Sequence, residues 1–63
     1  MNINAPFLQK LDGKSIVMMP ENFKFPFNKI KVDFIFCSHK TWNQNKEDII
    51  RKTINKPKII FMD

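Results

Sequence analysis

Two apolar runs of strand length flank a helical stretch, and this arrangement constrains the fold of the chain more than anything else in it. The first run is IKVDFIFC (30–37) and the second is KIIFM (58–62). Between them, TWNQNKEDIIRKTINKP (41–57) reads as a helix. Thr41 with Gln44 suits a capping box, Asn43 and Asn45 are the alternative caps, and Pro57 stops the helix. Ile50 and Ile54 lie four residues apart, with Ile49 and Thr53 beside them, so Ile50 and Ile54 are expected to face the sheet and Lys52 to point away. A strand, a connection of about 20 residues and a second strand make a β-α-β unit, with parallel pairing and a right-handed crossover. Within the first run, Ile30, Val32, Phe34 and Phe36 alternate and should face one way. From Phe34 onward both faces are apolar, as in a strand covered on both sides.

Upstream the pattern is less regular. NAPFLQKLDG (4–13) predicts a short helix, with Asn4 as its cap, Pro6 in the first turn and Gly13 ending it in the left-handed conformation. SIVMM (15–19) is a continuous apolar run stopped by Pro20, and it predicts a strand. PENFKFPFNK (20–29) alternates Phe23, Phe25 and Phe27 with polar residues. Pro26 excludes a central strand there, so an edge segment or loop is expected.

A chain of 63 residues buries only about 60% of the surface its unfolded form exposes, so stability is marginal without help. The single cysteine excludes an internal disulfide. One cysteine and one histidine are too few for a closed zinc site unless carboxylates complete it. A partner chain or very good packing must then supply the missing stability. The lone thiol and the lack of a signal-peptide pattern in MNINAPFLQKLDGK suit a reducing cytoplasm, the host's if the gene is phage-borne. No apolar stretch approaches the roughly 18 residues that span a bilayer. Ile, Lys, Asn and Phe dominate, and all four have AT-rich codons, so part of the basic charge reflects genome composition. The net charge is +5, split as +3 over residues 1–31 and +2 over 32–63, which favours anionic partners without specificity.

Cys37, His39 and Trp42 are each the only residue of their type, and they fall together in DFIFCSHKTW (33–42). In a parallel sheet, ligands collect where strands end and the next helices begin. There Ser38, His39, Lys40 and the first helical amides are candidates to hold an anion. No glycine-rich phosphate loop follows the strand, since Gly13 is the only glycine. Cys37 closes an apolar strand, where cysteine serves as a small hydrophobe, and Cys-Ser-His is not a thiol-protease arrangement. Trp42 reads as a staple over the helix start. Lys24, Lys29 and Lys31 with the neighbouring phenylalanines form the best basic and aromatic patch for nucleic acid.

VDFIFCSHKTWNQNKEDIIRKTINKPKIIFMD (32–63) resembles a segment in the first Rossmann-like half of bacterial two-domain glycosyltransferases. In that family a Val-Asp-hydrophobic strand ends in Ser-His or a similar pair, a helix follows, and a proline leads into the next strand. The resemblance covers half the chain. It implies a fragment or remnant of such a domain, inactive alone because the nucleotide-sugar site of such enzymes lies between two domains.

Together these readings predict one small α/β domain over residues 1–63, with a three-stranded sheet, two helices and one parallel β-α-β unit. Three strands apolar on both faces have only two short helices to cover them, so apolar surface is expected to remain for a partner. The leading function is a non-enzymatic interaction or accessory protein of phage or mobile-element type, acting on a protein partner or as a homo-oligomer. Phe23, Phe25, Phe27 and Trp42 are its expected anchors. The alternative is a basic nucleic-acid-binding module using Lys24, Lys29, Lys31, Ser38, His39 and Lys40. The third reading is the inactive glycosyltransferase-like remnant. No catalytic residue, cofactor, metal or membrane partner is expected.

Overall fold

The computed structural model describes residues 8–63. Strands β1 (Leu8–Leu11), β2 (Lys14–Met18) and β3 (Phe34–Cys37) precede helix α1 (His39–Lys52), and β4 (Lys58–Phe61) follows it. The four strands form one sheet in the order β1-β2-β3-β4. β1 is antiparallel to β2, while β2, β3 and β4 run parallel. This corrects the expected three strands and two helices to four strands in a mixed sheet and one helix among the described residues.

The difference lies in the first hairpin. Residues 8–11 form a strand, and residues 4–7 of the expected helix lie outside the described residues. Leu11 pairs with Lys14, which leaves Asp12 and Gly13 as a two-residue loop. Both have positive φ, 52° and 78°, the type I′ geometry whose twist matches that of the flanking strands. Asp-Gly is a favoured pair for this turn. A Cβ added to Gly13 would meet nothing within 4 Å, so glycine is favoured there by conformation and not by space.

The expected strand over 30–37 is reduced to 34–37. Ile30 makes an isolated parallel bridge to Thr53. Val32 is held outside the ladder by the Asn55 side chain, whose Oδ1 accepts from Val32 N at 2.9 Å and whose Nδ2 donates to Val32 O at 2.6 Å. The Asp33 carboxylate accepts from Ser15 N at 2.8 Å. These bonds bend the chain just before β3, so Val32 and Phe34 do not share a face. Val32, Ile35 and Cys37 are buried, while Phe34 and Phe36 point to the opposite side.

Helix α1 starts earlier than its sequence signals suggest. Ser38 is the N-cap, and its Oγ accepts from Thr41 N at 3.1 Å. Arg51 and Lys52 occupy the last turn, where cations complement the helix dipole. The helix buries Thr41, Asn45 and Ile49, which are four apart. Ile49 is 1% exposed, whereas Ile50 is 68% exposed. Ile50 and Ile54 therefore do not face the sheet, and Lys52 is half-buried. Polar residues have taken two positions of the buried stripe. Asn45 donates to Phe23 O and Thr41 O and accepts from Phe25 N. It ties the loop between β2 and β3 to the middle of α1.

Both parallel connections step across the sheet in the same direction. Right-handed crossovers that do so land on the same face. Burial agrees, because Met19 and Phe25 from the first connection and Ile49 from the second join Val17, Ile35 and Cys37 in one core cluster. The other face of the sheet receives no described element.

Candidate interaction surface

Side chains paired across a ladder point to the same side of a sheet. Val17, Ile35 and Ile59 make one such row and belong to the covered face. The intervening residues form two rows on the other face. Met18, Phe36 and Ile60 align across three strands, and Ile16, Phe34 and Lys58 align beside them. Met18 is exposed, and Ile16, Phe34, Phe36 and Ile60 are half-buried although none joins the core cluster. Five large apolar side chains thus lie together at the centre of one sheet face.

The expected anchors behave differently. Phe25 is 3% exposed and belongs to the core, edge-to-face with the half-buried Phe27 at a centroid distance of 5.6 Å. Trp42 packs on the same cluster. Phe23 alone of the four is largely at the surface, 49% exposed. Aromatic residues in the loop close the covered face because Asn45 draws their backbone onto α1. The apolar surface left over is on the far side of the sheet. Its signal was present in the continuous apolar runs of β2, β3 and β4, whose alternate residues must go somewhere.

At the carboxyl ends of β3 and β4, His39 and Asp63 come together. His39 Nδ1 lies 2.9 Å from Asp63 Oδ1, and His39 N also donates to this carboxylate at 3.2 Å. The hydrogen bonds from the His39 ring and amide hold the Asp63 carboxyl below the usual aspartate range. An ionised carboxylate only accepts, so Nδ1 carries the proton in this bond. The His39 ring also stacks on Phe61, with centroids 3.8 Å apart. The expected anion position at Ser38, His39 and Lys40 is therefore occupied by the chain's own Asp63, while the Ser38 hydroxyl is engaged by Thr41. Cys37 is buried beneath this point. Burial, and then the nearby Asp63 charge, push its thiol pKa up, which disfavours the reactive thiolate. Among the described residues no group of three or more His, Cys, Asp or Glu gathers to hold a metal.

The lysines proposed from sequence do not form one patch. Ser38, His39 and Lys40 lie at the carboxyl ends of the strands. Lys29 and Lys31 lie at the opposite end, where Ile30 N donates to Lys52 O and Ile54 N to Ile30 O. Lys24 sits between them, in the loop held by Asn45. The lysines that sequence separation hides are Lys14, Lys56 and Lys58, which come to the same end as Lys29 and Lys31 because all three parallel strands begin there.

Among the described residues no helix is long and apolar enough to cross a membrane. No family model, curated protein or solved structure matches the chain.

Proposed function

We propose that this chain is a non-catalytic interaction protein that works by covering the open face of its sheet with another protein surface, a second copy of itself in the first instance. The observation that carries this reading is the pair of rows Met18–Phe36–Ile60 and Ile16–Phe34–Lys58, apolar at the centre and opposite the covered face. Parallel strands that are apolar on both sides are ordinarily covered on both sides. Sheets packed face to face sit about 10 Å apart, with interdigitating side chains. Charge favours antiparallel packing of two copies, because their lysine-rich strand starts then lie at opposite ends. The lone buried thiol and the lack of an internal disulfide fit a reducing cytoplasm as the setting.

A charge at the centre of the face tests the reading. Phe36→Lys leaves the core cluster untouched. It is expected to stay folded and to elute as a smaller species than the parent chain in gel filtration. A folded Phe36→Lys protein with unchanged elution would count against association through this face.

A further inference from the structure

Charge in this molecule is sorted along the strand axis. The β1–β2 hairpin brings Lys10 and Lys14 to the end where the parallel strands begin. The approach to β3 brings Lys29 and Lys31, and the last turn of α1 brings Arg51 and Lys52. Lys56 and Lys58 arrive with the approach to β4. Backbone hydrogen bonds join these segments directly: Asp33 N donates to Ser15 O at 2.9 Å, Lys58 N to Asp33 O at 3.0 Å, and Ile30 N to Lys52 O at 3.0 Å. Against these eight cations stand Asp12, Asp33 and Asp48, so this end carries +5. At the middle and the far end, Lys24, Lys40 and Lys46 are balanced by Glu21, Glu47 and Asp63. The whole formal charge of the chain therefore resides at one end.

Part of this charge is tied up. Asp48 engages Arg51 and Lys52, and Asp33 engages Lys31. Lys10, Lys14, Lys29, Lys56 and Lys58 are all exposed, and among the described residues none of them forms an ion pair, although Lys14 also attracts the Asp33 carboxylate. Five ammonium groups on one end, carried by three separate segments fixed to one sheet, face a single acid outside those ion pairs, Asp12.

We infer that the strand-start end of the sheet, where Lys58 closes one row of the apolar face, is a binding surface for the phosphate backbone of nucleic acid, without base readout. Lysine is a compact point charge suited to phosphate, and placing several of them together raises the local potential more than the same charge spread over the molecule. Contacts from flexible lysines to phosphate read no base edges, so binding is insensitive to sequence and follows counterion release. The logarithm of affinity then falls linearly with the logarithm of salt, with a slope of about −0.9 for each phosphate neutralised on a duplex.

The test uses the full chain and a fluorescently labelled DNA duplex of arbitrary sequence, with anisotropy followed as salt rises. The parent chain is expected to bind at low salt with a slope reporting three to five neutralised phosphates, roughly −3 to −4.5. The triple variant Lys14→Gln, Lys56→Gln, Lys58→Gln should lose most of this affinity and flatten the slope by about 2 to 3. The triple variant Lys24→Gln, Lys40→Gln, Lys46→Gln removes the same net charge from elsewhere and should bind nearly as the parent does. Circular dichroism confirms that both remain folded. Equal weakening by the two triples would overturn the inference, since net charge and not its placement would then govern binding. Binding to heparin without binding to the duplex, or no binding at low salt, would overturn it as well.

Discussion

Asn45 Oδ1 accepts the amide hydrogen of Phe25 at 2.7 Å, inside the protein, across 20 residues of sequence. This bond, with the two that Asn45 Nδ2 donates to Phe23 O and Thr41 O, fixes the β2–β3 connection on α1 and leaves that connection unable to cover the far face.

Asn45→Ala should strand the buried Phe25 N–H and cost about 1–3 kcal/mol. Asn45→Asp should be worse at neutral pH, because it keeps the acceptor for Phe25 N but sets a carboxylate against two carbonyl oxygens that now receive hydrogen bonds. Stability of the Asp variant should then rise as pH falls and the carboxyl protonates. Denaturant melts at two pH values check both, and an Ala variant as stable as the parent would show that the clamp is dispensable.

The two neighbouring isoleucines of α1 should separate cleanly. Ile49 lies in the core and Ile50 in solvent. Ile49→Ala should cost about 2–5 kcal/mol, a large share of what a small domain has. Ile50→Ala should stay within about 0.5 kcal/mol of the parent. Equal effects would mean that the helix is rotated from the position described.

These positions also show how far the sequence could be read. The apolar runs in β2, β3 and β4 and the helix between β3 and β4 are legible, because their composition and spacing have few other uses. The face of α1 is not. Its buried stripe runs Thr41, Asn45, Ile49, and two of the three are polar because they bond to other segments. A search for apolar spacing finds Ile50 and Ile54 instead. Asp12–Gly13 carries two messages, since a glycine after a short amphipathic stretch ends a helix as readily as it turns a hairpin. Only pairing with β2 decides between them. The lysine-rich end was invisible because its members come from segments far apart in sequence, and the phenylalanines of 23–27 drew attention away from the rows on the far face.

Acid should destabilise the fold in part through Asp33. The hydrogen bond from Ser15 N holds its carboxyl below the ordinary range; burial opposes this next, and the smaller attractions of Lys31 and Lys14 add to the lowering. A folded-state pKa below the unfolded one means stability present above the unfolded value and lost as pH falls through the folded one. The window therefore runs downward from about pH 5. Asp33→Asn keeps an acceptor for Ser15 N and does not titrate, so thermal melts between about pH 5 and pH 2 should fall less steeply than in the parent. Identical slopes would show that Asp33 does not contribute to acid sensitivity.

The central claim is that the far face of the sheet, with Met18, Phe34, Phe36 and Ile60 at its centre, is covered by a second copy. Sedimentation equilibrium of the unmodified chain at low micromolar concentration tests it most directly, with a hydrophobic dye added to parallel samples. The account predicts a mass that rises towards the dimer with concentration, and dye binding that falls as it does. A well-folded monomer at every concentration that binds no dye would contradict it.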